Sequence, residues 1–193
     1  MLIEDGKGNG KSAQVDNSNR LRVHAVTESE ALHSSEEGGA YNVNSGLISI
    51  TADATLLYLK NNEDEDIVIE AIALGSFEGI THSDDPYITV VRNPTGGDLI
   101  SDATAVPMNG NRNFGSNNVL LVDTYKGKVG GTITGGSDIA ILQAVGGGRG
   151  FYTVEFVLPR ATSIAVKLTA NVTSGSANWY CAFICYIKDE TKD

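Results

Sequence analysis

The chain has 193 residues, with 14 basic and 24 acidic side chains, a net charge of −10, 41% hydrophobic residues, 22 glycines and 4 prolines. That size and balance predict one globular domain with length to spare for an extended arm, and exclude a disordered tract. So acidic a surface repels phosphate backbones, which argues against nucleic acid as a partner, and no apolar run reaches the ~18 residues of a membrane span.

The first element is "IEDGKGNGKS", residues 3–12. Gly10, Lys11 and Ser12 supply the end of a G-x-x-x-x-G-K-[ST] phosphate loop, but Asp5 stands where its first glycine belongs. Only "MLIE" precedes the turn, and "AQVDNSNRL" comes after it without a helical apolar period, so the stretch reads as a glycine-rich leader and not a nucleotide site. Its polar, acidic start predicts no secretory signal.

"RLRVHAV" then places Leu21, Val23 and Ala25 on one face of a strand, with Arg20, Arg22 and His24 on the other. In "TESEALHSSEE", Thr27 and Glu30 have capping-box spacing for a helix of one or two turns. No apolar run in residues 1–46 is long enough to form a core alone, so this region is expected to be an arm that lies on something else.

From residue 47 the pattern changes to short strands rich in Ile, Val, Thr and Tyr. They are expected at 47–51, 55–61, 66–74, 87–92, 118–124, 131–134, 138–142, 151–158, 163–170 and 178–188. Within 163–170, Ile164, Val166 and Leu168 should face in and Ala165, Lys167 and Thr169 out. The expected fold is all-β, a jelly-roll-like antiparallel β-sandwich over 47–193 preceded by the extended arm, with a closed barrel as the alternative. The last strand is apolar on both faces: Trp179, Cys181, Phe183, Cys185 and Ile187 on one, Tyr180, Ala182, Ile184 and Tyr186 on the other. Such a strand is either central and covered twice or part of a subunit interface, for which Trp179, Phe183, Tyr180 and Tyr186 are the candidates. Residues 93–118 and 145–150 are expected as a long loop and a flexible tip.

Chemistry finds little purchase. "HSD" at 82–84 offers a histidine and a carboxylate for an iron triad, but no histidine follows His82, so no metal site is expected. There is no G-x-S-x-G elbow for a nucleophile. Cys181 and Cys185 would lie roughly 13 Å apart on one face of a strand, too far for a disulfide, and read as buried thiols of a protein folded in a reducing cytoplasm. "NNEDED" at 61–66 lacks the glycine and distal glutamate of a calcium loop and reads as a charged hairpin. "NVT" at Asn171 matches a glycosylation acceptor expected to be idle, and the aromatics form no stacking stripe. No catalytic residue, cofactor or metal is expected, and the chain is not expected to be an enzyme. A polysaccharide hydrolase with paired carboxylates has only the acidic surplus behind it.

The opening resembles the N-termini of small virion proteins of tailed bacteriophages. Those chains carry a D-G-x-G-x-G-x-x-A-x-V leader, matched here by Asp5, Gly6, Gly8, Gly10, Ala13 and Val15. An N-R-L-x-V-x-A-x-T segment comes next, matched by Asn19, Arg20, Leu21, Val23, Ala25 and Thr27. "LLYLKNNED" followed by "IVIEAIAL" also looks like the start of such a protein's sandwich domain, so the resemblance covers about the first third of the chain. It implies a non-enzymatic part of a virion assembled in the host cytoplasm, either a capsid decoration (cement) protein or a head or tail fibre component. On the first reading a homotrimer docks on the major capsid protein, or another virion protein, through Arg20, Leu21, Arg22, Val23 and Ala25. On the second, loops 93–118 and 145–150 hold a host-surface glycan. Neither involves nucleic acid or a membrane.

Overall fold

The computed structural model describes residues 2–4, 12–15, 21–22, 29–77, 80–82, 85–98, 108–127, 130–144 and 148–188. Strands β1 (Leu2–Glu4), β2 (Ser12–Val15) and β3 (Leu21–Arg22) form a small antiparallel sheet among themselves, in the order β1-β2-β3. Ser12 therefore opens a strand, where a phosphate loop would open a helix. Helix α1 (Glu30–Glu37) is the next element. Its N-cap is Ser29, whose Oγ accepts from the Leu32 N–H at 3.2 Å, two residues later than the capping expected at Thr27, a residue outside the described set.

The sandwich begins earlier than expected. β4 (Ala40–Asn44) and β5 (Ile48–Ile50) both pair with the last strand. Residues 40–44, assigned to the arm on sequence, are thus an integral strand, because Tyr41 and Val43 alternate into the core. β6 (Ala54–Asn61), β7 (Ile67–Phe77), β8 (Ile80–His82), β9 (Tyr87–Arg92), β10 (Gly96–Gly97) and β11 (Met108–Asn111) come next. The chain continues through β12 (Val122–Lys126), β13 (Ile133–Thr134), β14 (Ser137–Gln143), β15 (Arg149–Leu158), β16 (Ser163–Thr169), β17 (Val172–Gly175) and β18 (Ala177–Ile187).

Two antiparallel sheets face each other. One runs β11-β4-β18-β7-β15, with β5 beside the first part of β18, and the other β12-β6-β16-β9-β14. Taking β4, β6, β7, β9, β14, β15, β16 and β18 as strands one to eight, the orders are 1-8-3-6 and 2-7-4-5. That is the double Greek key of a jelly roll. The expected fold class holds. "NNEDED" is corrected in one respect: it links β6 of one sheet to β7 of the other, so it is a crossover between sheets and not a hairpin.

The interior is filled from both sheets, with Leu57 and Leu59, Ile88 and Val90, and Ile164 and Val166 meeting Ile67 and Ile69, Ile72 and Leu74, and Trp179 and Phe183. Each such side chain contributes about 1.5–3 kcal/mol through burial. In β7 the inward phase shifts by one residue between Ile69 and Ile72, where the register with β18 and β15 also shifts. A bulge around Glu70 reconciles an apolar run of mixed phase with a single inner face. Ala165 is buried instead of facing solvent, because Tyr58, Tyr125 and Ile133 pack over it on the outer face. The chain after β12 closes over that face, with Thr55 Oγ1 donating to the Gly131 carbonyl at 3.0 Å and the Gly127 N–H to that of Leu56 at 3.1 Å.

Candidate functional site

The chemically suggestive residues are spent on structure. Cys181 and Cys185 are free thiols buried in the core. Burial pushes the Cys181 thiol well above its usual range and that of Cys185 up to about 12, the latter held back slightly by the Arg112 charge. Neither is a nucleophile in the folded state. In the 61–66 crossover, Asn61 is fully buried; its Nδ2 donates to the carbonyls of Glu65 (2.9 Å) and Leu158 (2.8 Å), and its Oδ1 accepts from the Glu63 N–H (2.7 Å). The Glu63 carboxylate turns inward to accept from the Leu121 N–H at 2.5 Å, while Asp64 turns outward to Arg160. These carboxylates point apart, and among the described residues no group of three or more His, Cys, Asp or Glu is placed to hold a metal. His82 ends β8 opposite Val172; residues 83–84 lie outside the described set. No described helix is long and apolar enough to cross a membrane.

Of the expected docking residues, Leu21 and Arg22 form β3, opposite Val15 and Gln14 of β2. Arg20, Val23 and Ala25 lie outside the described residues. The interface candidates on β18 need correction. Trp179 and Phe183 are 0% exposed, inside the sandwich of their own chain, so neither is available to another subunit. Tyr180 lies on the outer face across Gly75, where a Cβ would collide with its ring, and its ring centroid is 6.4 Å from that of Phe77. The Tyr186 hydroxyl donates to the Glu30 carboxylate at 3.4 Å, beneath α1. Burial first, and then the Glu30 carboxylate, raise its pKa. On that outer face Tyr180, Ile184 and Tyr186 are half-buried and Ala182 is buried.

The expected long loop is also more ordered than its composition suggests. It contains β10 and β11, and the segment after β11 is tied to α1, while residues 99–107 lie outside the described set. Helix ends leave carbonyls without partners. Here Asn113 Nδ2 donates to Glu36 O (2.7 Å), Asn111 Nδ2 to Gly38 O (2.7 Å), and Asn118 Nδ2 to Glu37 O and Gly38 O (3.4 Å each). Gly38 itself adopts φ 81°, and a side chain there would collide with Ser116. The loop is a clasp on the helix C-terminus. It leaves Phe114 fully exposed at its tip, with Val119 and Leu121 also exposed.

The opposite flank is the pair of edge strands β14 and β15. Ile139, Ile141, Phe151 and Val157 are exposed there, at 40, 69, 64 and 52%. Inward-facing Leu142, Tyr152, Val154 and Phe156 are only partly buried, so the core is incompletely closed on this side. A cleft of about 500 Å³ opens between the sheets, floored by Phe156, Leu158 and Ile164 and rimmed by Arg92, Ile139, Glu155 and Val157. Glu155 sits there at φ 51°, in an interval where the pairing of β15 with β7 shifts register. Bulges of this kind blunt sheet edges against strand addition.

Fold and surface together define a jelly-roll protein with a separate N-terminal segment, a clasped helix and two apolar flanks. No protein-family model matches the chain, and no curated protein matches it either. Among solved structures it is similar to a chain of the "Cyanophage Pam1 capsid asymmetric unit", at 15% identity over 89% of this chain and 97% of that one, with a TM-score of 0.28. An overlap of that size places the chain in no family.

Proposed function

We propose that this is a non-enzymatic structural protein of a phage particle, a decoration (cement) protein that docks on the major capsid shell through its N-terminal segment and stabilises it. The observation that carries the reading is the division of the chain. Residues 1–28 hold the leader motifs and contribute no described strand to the jelly roll, which is complete from β4 onward. Those residues carry four basic and four acidic side chains, whereas 29–193 carry ten and twenty, so the sandwich holds the whole net charge. A neutral strand-forming segment with Arg20 and Arg22 is suited to lie on a foreign surface while an acidic domain stays in solvent. Main-chain pairing to an exposed sheet edge would give affinity, and alternate apolar side chains the register. Copies joined in a homotrimer would gain avidity, because each bound segment raises the effective concentration of the next.

The test is binding to the undecorated head. Full-length protein should co-sediment with heads, and protein lacking residues 1–28 should fold but stay in the supernatant. The cut belongs at 28 and not at 46, because removing β4 takes a strand out of the sheet. A folded truncated protein that still decorates heads would sink the proposal.

A further inference from the structure

We propose that the cleft between the two sheets binds a small apolar carboxylate, with its body on the floor and its head at Arg92 and Asn93. The cleft measures about 500 Å³, within the roughly 300–1,000 Å³ of small-molecule pockets. Its floor of Phe156, Leu158 and Ile164 offers no polar side chain, so an apolar body can lie there without stranding a hydrogen-bonding group.

The charge of the ligand follows from the mouth. Ile88 and Val90 of β9 point into the core, and Arg92 takes the next inward position, opposite Ile164. Among the described residues its guanidinium has no ion pair and no hydrogen bond. Asn93 is held through its Oδ1, which accepts from the Ser163 N–H at 2.8 Å. Its Nδ2 is thereby left as a donor with no partner among the described residues. Glu155 is the other charged lining residue, but it stands between Val154 and Phe156, which both pack against the core. Its carboxylate therefore turns to the outer face, where it helps to raise the pKa of Tyr186. The mouth thus offers a positive charge and free donors, and the head that fits them is an anion. A guanidinium fork matches a carboxylate with two parallel hydrogen bonds, and a net charge of −10 disfavours a doubly charged head such as phosphate. Inward-pointing charges also protect sheet edges, but β9 lies between β16 and β14 and is not an edge strand.

The experiment is heteronuclear NMR of the isotope-labelled full chain, titrated at neutral pH with decanoate below its micelle concentration. Amides at 92–93 and 155–164 should shift and saturate. Octanoate should bind on the order of tenfold more weakly, as two fewer buried CH2 groups require. Arg92 is exposed at the end of β9, so Arg92→Gln should keep the wild-type circular dichroism spectrum. That variant should bind decanoate about tenfold more weakly or worse, through loss of a charge-assisted hydrogen bond, and bind uncharged octan-1-ol as wild type does. Cleft amides that do not move at about 1 mM decanoate, the weak end of specific binding, would overturn the inference. Equal decanoate affinity in the two proteins would overturn it too, as would cleft shifts that arise from protein concentration alone, the sign of a second copy there. The cleft lies outside residues 1–28, so this result and the shell-docking test stand or fall separately.

Discussion

The side-chain amide of Asn113 donates to the carbonyl of Glu36 across 2.7 Å, joining a loop to the last turn of a helix 77 residues earlier in the chain. With Asn111 and Asn118 it supplies what α1 lacks at its C-terminus, so the helix is held by tertiary hydrogen bonds more than by its own eight residues. Asn113→Ala should cost about 1 kcal/mol, and Asn111→Ala about 1–3 kcal/mol because its bond is partly buried. Urea melts measure both. Hydrogen exchange should show amides 33–37 losing protection ahead of the sheets, and unchanged exchange there would contradict the clasp.

Asn61 is the polar hub of the crossover between the sheets. Asn61→Ala strands the carbonyl of Leu158 and the N–H of Glu63 in a buried setting, with an expected loss of about 3 kcal/mol or more. Asn61→Asp should be comparably harmful, because a carboxylate cannot donate to the Glu65 and Leu158 carbonyls. Thermal denaturation of the two variants settles the point, and a loss below about 1 kcal/mol would contradict the hub role.

Gly127 lies against the backbone of β6. A Cβ there would overlap the Thr55 carbonyl, a group that cannot move without breaking the sheet. Gly127→Ala should therefore destabilise by more than about 3 kcal/mol, through displacement of the chain that covers Tyr58 and Ala165. Gly130→Ala is the control for space: φ is 72° there but nothing lies within 4 Å, so only backbone strain of about 1 kcal/mol is expected. Urea melts of the two variants should differ accordingly, and equal losses would contradict the close approach.

The thiols predict an alkaline limit. A thiol pKa raised on folding means that the folded state holds its proton while the unfolded state releases it near pH ~8.5. The resulting stability is fully present below the unfolded value and is lost as pH rises toward about 12 for Cys185. Tyr41 and Tyr58, both raised chiefly by burial, add to the same trend above the ordinary tyrosine value of 10.0. At about pH 8, just below the unfolded thiol value, a thiol reagent should modify neither cysteine until denaturant is added. Rapid labelling of native protein would contradict the burial.

Much of the sheet was legible because its signals are local. β9 falls at 87–92 as its Ile, Val, Thr and Tyr content predicts, and Ile164, Val166 and Leu168 face inward as expected. The features that escaped are held by distant partners. β4 reads as punctuation, "AYNVN", and becomes a strand only because β18 and β11 flank it. The strand expected at 118–124 moved to β12, since the Asn118 side chain and the Leu121 N–H are engaged by α1 and Glu63. For Trp179 and Phe183 the apolar pattern favours a covered central strand over an interface, and the place of β18 between β4 and β7 puts both in the core. The asparagine clasp has no sequence signature, because its bonds span 73 to 81 residues.

The central claim is that this chain coats a phage head and is attached by residues 1–28. Cryo-electron microscopy of the native particle tests it most directly. The account predicts many copies on the head, each jelly roll facing outward with its N-terminal segment traced along the shell. Copies confined to the tail or to one vertex, or jelly rolls bound to the shell with residues 1–28 making no contact, would contradict it.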